Sequence, residues 1–105
     1  MLNEIEIKDR IARSVHASDP SAEVFLFGSR ARGNNREDSD WDLLILVDEP
    51  EVTMAIEDKF RYGLYDIELE SGQIISSFIY TKDFWKNSLQ FSPLFESVSN
   101  EGLKL

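Results

Sequence analysis

The chain has 105 residues, 42% hydrophobic and 11% aromatic, enough for one domain with a single modest core. Its 20 acidic against 11 basic residues give a formal charge of −9, which repels phosphate backbones and anionic membranes and so excludes non-specific nucleic-acid binding. With no cysteine there is no disulfide or thiolate metal site, and no apolar run reaches the length of a membrane span.

The segment up to Arg13 alternates charged and aliphatic residues, unlike a signal peptide, so a cytoplasmic location is the simplest expectation. From Asn3 to Ala17, Ile5, Ile11, Ala12 and Val15 recur at helical spacing between charged residues, which predicts an amphipathic helix with Asn3 as N-cap. Ser18-Asp19-Pro20-Ser21 ends it, since proline cannot continue a helix. Ala22 to Phe27 is a short apolar run, read as a strand covered on both faces.

Gly28 and Ser29 then open a tight turn, where a missing side chain lets backbone N–H groups approach an anion. Ser29 to Arg32 reads as a short helix and Gly33 to Ser39 as an exposed loop. Asp40 to Val47 is a second strand, with Asp40, Asp42, Leu44 and Leu46 on one face and Trp41, Leu43, Ile45 and Val47 on the other. Both faces are apolar beyond the acids, which places the strand inside a sheet with its acids at the accessible start.

A longer helix is expected from Glu51 to about Glu70, with Val52, Ala55, Ile56, Lys59, Phe60, Gly63, Leu64 and Ile67 as its buried stripe, stopped by Ser71-Gly72. Gln73 to Thr81 reads as a third strand and Asp83 to Asn87 as a short helix carrying Trp85. Ser92-Pro93 starts a terminal helix marked by Leu94, Phe95, Val98 and Gly102.

Two carboxylates converging on one point repel each other unless a cation resides there or one holds a proton. Hard oxygen donors with no histidine or cysteine nearby suit Mg²⁺ or Mn²⁺, which complete their shell with water and substrate phosphate. The Ser29 hydroxyl and the turn's N–H groups would hold terminal phosphates. Arg30 and Arg32 are candidates either for phosphate, through their planar forks, or for ion pairs with Glu37 or Asp38. Either half of the motif alone reads as a plain turn or an acidic loop; strand, Gly-Ser, arginine loop, Asp-x-Asp and strand in that order are much rarer than the parts.

The run F-G-S-R-A-R-G…D-S-D-W-D-L-L-I, within Val24 to Val47, resembles the DNA polymerase β-like nucleotidyltransferase superfamily, and closely its minimal nucleotidyltransferases. The resemblance implies an α/β fold with a small mixed sheet flanked by helices. It implies transfer of a nucleoside monophosphate from an NTP, ATP first, to an acceptor hydroxyl, with two Mg²⁺ ions. Gly28 and Ser29 would sit on phosphate, and Asp40 and Asp42 would be catalytic metal ligands. Many members resemble antitoxins paired with an all-helical HEPN-type ribonuclease toxin that they adenylylate on a tyrosine, so a partner of that kind or a homo-oligomer is implied.

One departure matters. Active members carry a third carboxylate on a later strand, and here Ser76 stands where it would be expected, in Ile74-Ile75-Ser76-Ser77-Phe78-Ile79. Asp66 or Glu68, or Glu70 beside them, would supply it if Tyr65 to Glu70 were a strand; the stretch alternates, yet Leu64 and Ile67 continue the helical stripe, and the helix is the reading taken. On that reading the catalytic set is incomplete, and the alternative function is a degenerate module that binds nucleotide or partner without transfer.

Overall fold

Asn3 begins the first helix by a reciprocal cap: its side chain accepts from the Glu6 N–H at 2.8 Å, and the Glu6 carboxylate accepts from the Asn3 N–H at 3.2 Å. In the computed structural model, which describes residues 2–105, this helix is α1, Glu4–Ser18. Its buried stripe is Ile7, Ile11 and Val15, four residues apart, whereas Ile5 is 79% exposed. Ile5 was expected inside; it stands about 200° around the helix from Ile7, at 100° per residue.

Strand β1 (Glu23–Phe27) follows, then the single turn α2 (Ser29–Arg32), strand β2 (Trp41–Val47) and helix α3 (Met54–Ser71). α3 starts three residues later than expected because Thr53 takes the cap, accepting from the Ile56 N–H at 3.2 Å, and Ala55 is exposed rather than buried. It ends at Gly72, in the left-handed conformation at φ 72°. Strand β3 (Ile75–Thr81), helix α4 (Lys82–Ser88) and helix α5 (Pro93–Glu101) complete the expected elements. A two-residue strand, β4 (Leu103–Lys104), was not anticipated.

The sheet is mixed, in the order β3-β2-β1-β4. β1 runs antiparallel to β2, pairing Phe27 with Asp42, while β3 runs parallel to β2, pairing Asp42 with Ser76. A parallel neighbour needs a crossover, and α3 provides it.

Two cores follow from the period-2 alternation of β2. Trp41, Leu43, Ile45 and Val47 pack with Val24 and Leu26 under α1 and α3, through Ile7, Ile11, Phe60, Leu64 and Ile67. Leu44 and Leu46 pack on the other face with Phe27, Trp85 of α4 and Val98 of α5. α1 and α3 meet closely at Gly63, where an added Cβ would run into the Ser14 hydroxyl. Among the described residues, no helix is long and apolar enough to cross a membrane.

Candidate functional site

The antiparallel pairing of β1 with β2 brings the end of one strand beside the start of the other, pairing Phe27 with Asp42, so the Gly28 turn meets that acid by register alone. Gly28 holds φ 76° and ψ −158°, a region essentially reserved for glycine. A Cβ there would also overlap Asp42 Oδ2. The turn and the acid are therefore in direct contact, with nothing between them but the glycine's hydrogen.

Beyond Gly28 its carbonyl accepts from the N–H groups of Ala31 and Arg32, both at 3.1 Å, which closes α2. The N–H groups of Ser29 and Arg30 come before the first such bond and have no carbonyl of the turn to reach. Gly33, at φ 79°, ends the turn by bonding back to the Ser29 carbonyl at 3.0 Å.

Asp40 lies one residue before β2 and is exposed, while Asp42 is half-buried inside the strand. Burial first, and then the charge of Asp40, push the Asp42 carboxyl above the usual carboxylate range; Arg32 acts in the opposite direction. The two acids thus share one electrostatic site, and Arg32 belongs to it. Arg32 is tethered by Glu101 at the end of α5, whose Oε1 accepts from Nη1 at 2.9 Å and from the Ser97 hydroxyl at 2.9 Å.

Arg30, the other arginine expected on phosphate, points elsewhere. Its side chain is buried, and its donors reach the Glu4 carboxylate at 2.7 Å, the Glu37 carbonyl at 3.1 Å, the Ser39 carbonyl at 2.9 Å and Gln73 Oε1 at 2.8 Å. The guanidinium carbon lies 4.6 Å from the centre of the Trp41 ring, on the opposite face of the sheet from Asp42. Arg30 is a clamp that ties the motif loop to α1 and to the start of β3. Asn35 at 2.9 Å and then Arg30 hold the Glu4 carboxyl below its ordinary range.

The third carboxylate is not assembled from the fallback candidates. Tyr65 to Glu70 is helical throughout, and α3 covers the face of the sheet opposite Asp42. Glu68 accepts from the Ile75 N–H at 2.9 Å, and Asp66 lines a cavity of about 320 Å³ with Arg10, Arg13 and Ser14. Ser76 is the residue that the parallel register sets beside Asp42. Among the described residues, no three His, Asp or Glu side chains come together as a metal-binding group.

Sequence reasoning missed Glu101 and Glu4, whose partners lie 69 and 26 residues away. No local pattern signals either. What the fold brings together is Asp42 against the Gly28 turn, with the charges of Asp40 and Arg32 acting on it. Hard oxygen donors of this number fit Mg²⁺, which takes one or two protein carboxylates and fills its shell with water and phosphate.

A family model described as a nucleotidyltransferase domain matches residues 8–97. No curated protein matches the chain. Among solved structures, a toxin-antitoxin complex with AMP-PNP is similar at a TM-score of 0.66 and 15% identity, over 92% of this chain and 70% of that one. A mutant of the toxin-antitoxin MntA-HpeT is similar at 0.65 and 17%, over 100% of this chain and 72% of that one. Identities this low speak for the fold alone.

Proposed function

Since the chain belongs to the nucleotidyltransferase domain family, we propose that it binds the Mg²⁺ complex of an NTP, ATP first, and transfers the nucleoside monophosphate to a hydroxyl on a partner protein. The observation that carries this reading is the contact between Gly28 and Asp42, which sets the bend that opens at Ser29 against the more buried of the two acids. The Ser29 hydroxyl and the N–H groups of Ser29 and Arg30 bind the terminal phosphates, and Arg32 adds a positive charge at their flank. Asp40 and Asp42 hold the metal, which when bound neutralises phosphate charge and orients the triphosphate.

The acceptor oxygen forms a bond to the α-phosphorus, the bond to the bridging oxygen breaks, and pyrophosphate leaves. The acceptor proton passes to water, because serine rather than a carboxylate lies beside Asp42. A missing general base lowers the rate by about 10²–10⁴-fold. The partner proposed is a helical HEPN-type chain, a reading supported by the toxin-antitoxin complexes that share the fold. A surface carrying −9 suits a basic partner better than a second copy of itself.

A second reading is favoured by Ser76: a module that holds nucleotide or partner and transfers nothing. Incubation with Mg²⁺, α-labelled ATP and the co-purified partner separates the two. Label on the partner supports transfer; ATP binding with an unlabelled partner supports the module. If no nucleotide raises the melting temperature in Mg²⁺, transfer and nucleotide holding both fail, and only partner binding is left of the second reading.

A further inference from the structure

Resting on the nucleotide-binding reading, we propose that Phe78 is the stacking platform for the base of the bound nucleotide, and that purines are preferred. Phe78 follows Ser76 by two residues on β3, so both stand on the same face of the sheet as Asp42. In register it pairs with Leu44, one step further along β2 on the acids' side. Its ring meets that of Phe27 at 5.9 Å between centroids and 49° between planes. Phe27 itself pairs with Asp42 and precedes Gly28. The two rings therefore close off the sheet face immediately beyond the acid.

The two rings differ in exposure. Phe27 is 8% exposed and belongs to the core under α4 and α5, whereas Phe78 is 41% exposed. Tyr80, two residues on, is stacked on Phe84 and Trp85, and Trp85 meets Phe95 at 5.0 Å, so the rings beyond it are engaged with one another. Phe78 stands at the boundary of that cluster, in contact with Phe27, the residue paired with Asp42, and still 41% exposed.

Its place suits a nucleoside in length. Two residues of strand and one strand spacing put it roughly 8 Å from Asp42, backbone to backbone. That is about the span from an α-phosphate to the base it carries. The phosphates are recognised by charge and N–H groups, which read nothing of the base, so an uncharged planar ring at that distance is the group that would. Stacking area favours the larger purine ring and discriminates weakly among purines, since every base has a π-face.

The test is calorimetric titration in Mg²⁺ with ATP, CTP and inorganic tripolyphosphate, on the parent, Phe78→Ala and Phe78→Trp. In the parent, ATP is expected to bind about 5- to 150-fold more tightly than tripolyphosphate, with CTP between them. Phe78→Ala should remove that advantage and leave tripolyphosphate unchanged, and Phe78→Trp should restore it. The base increment should also be nearly independent of salt, unlike binding of the phosphates.

Should the ATP advantage persist in Phe78→Ala, or be missing in a parent that binds tripolyphosphate, the platform is refuted while the phosphate cradle stands. The platform is equally refuted if Phe78→Ala binds ATP normally but slows labelling of the partner, which would give the ring to the acceptor. Failure of the parent to bind any of the three overturns the cradle and the platform together.

Discussion

Gly28 touches Asp42 so closely that the smallest side chain on the glycine would collide with a carboxylate oxygen. The contact joins a bend at the end of β1 to an acid at the start of β2, and it makes glycine obligatory there for two reasons, the overlap and the backbone at φ 76°. Gly28→Ala should lower the melting temperature by more than about 5 °C, from strain of about 1–3 kcal/mol in a domain of this size. It should also abolish nucleotide-dependent stabilisation. Thermal unfolding with and without Mg²⁺-ATP measures both, and a variant that is stable and still responds to ATP would break the proposed link between bend and acid.

The raised Asp42 carboxyl has a consequence for stability. A carboxyl held above its unfolded value of 3.8 favours the protonated folded state, so its contribution is most favourable below that value and declines as pH rises through the folded one. Asp42→Asn removes the burden at pH 7. Without metal, the variant should melt a few degrees higher than the parent at neutral pH, with the gain vanishing in acid. The parent should be stabilised by Mg²⁺-ATP, by about 2.7 kcal/mol at a hundredfold excess over Kd, and the variant should not. Melting curves across pH, with and without Mg²⁺-ATP, check both halves.

Arg30 should prove structural. Arg30→Ala strands two backbone carbonyls and the Gln73 side chain and uncovers Trp41, at an expected cost of about 2–4 kcal/mol. Glu4→Gln should cost at most about 1 kcal/mol, because Glu4 is largely solvent-screened. Glu4 sits below its unfolded value of 4.5, so its share of stability is present above that value and fades as pH falls through the folded one. Denaturant unfolding at pH 7 and pH 3 measures these terms. A large loss of ATP affinity in molecules of Arg30→Ala that remain folded would instead return Arg30 to the phosphates.

Ser76→Asp puts a carboxylate at the position that the parallel register sets beside Asp42. Pyrophosphate release in Mg²⁺ should rise by about 10²–10⁴-fold if proton removal limits transfer. The variant should also melt lower than the parent without metal, since a third negative charge joins two. An unchanged rate would show that the serine is not what limits the reaction.

Much of this molecule is legible locally. Asn3 with Glu6, Ser92 with Pro93, and Gly72 each act on N–H or carbonyl groups within about four residues, so their helix ends can be read without knowing what packs nearby. The same holds for the glycine that opens the turn, whereas Asp40, expected on the strand with Asp42, lies one residue before it. Tyr65 to Glu70 fits two periodicities in isolation, and only the packing of Leu64 and Ile67 onto the sheet decides for helix. β4 is two residues long, too short for any periodicity, and exists because β1 offers it an unpaired edge.

The amino-acid order alone therefore marked out which side chains are candidates for the chemistry, because turn, cap and alternation are set by neighbours in the chain. Tertiary structure decided what each of them faces. Pairing β1 with β2 pressed Gly28 onto Asp42, and the parallel β3 brought a serine to that acid rather than Asp66 or Glu68. Two arginines two residues apart were sent to opposite tasks, Arg30 to Glu4 and Trp41, Arg32 to the acids and Glu101. Partners so distant along the chain are chosen by the register of strands and the seating of helices, which no short stretch of sequence contains.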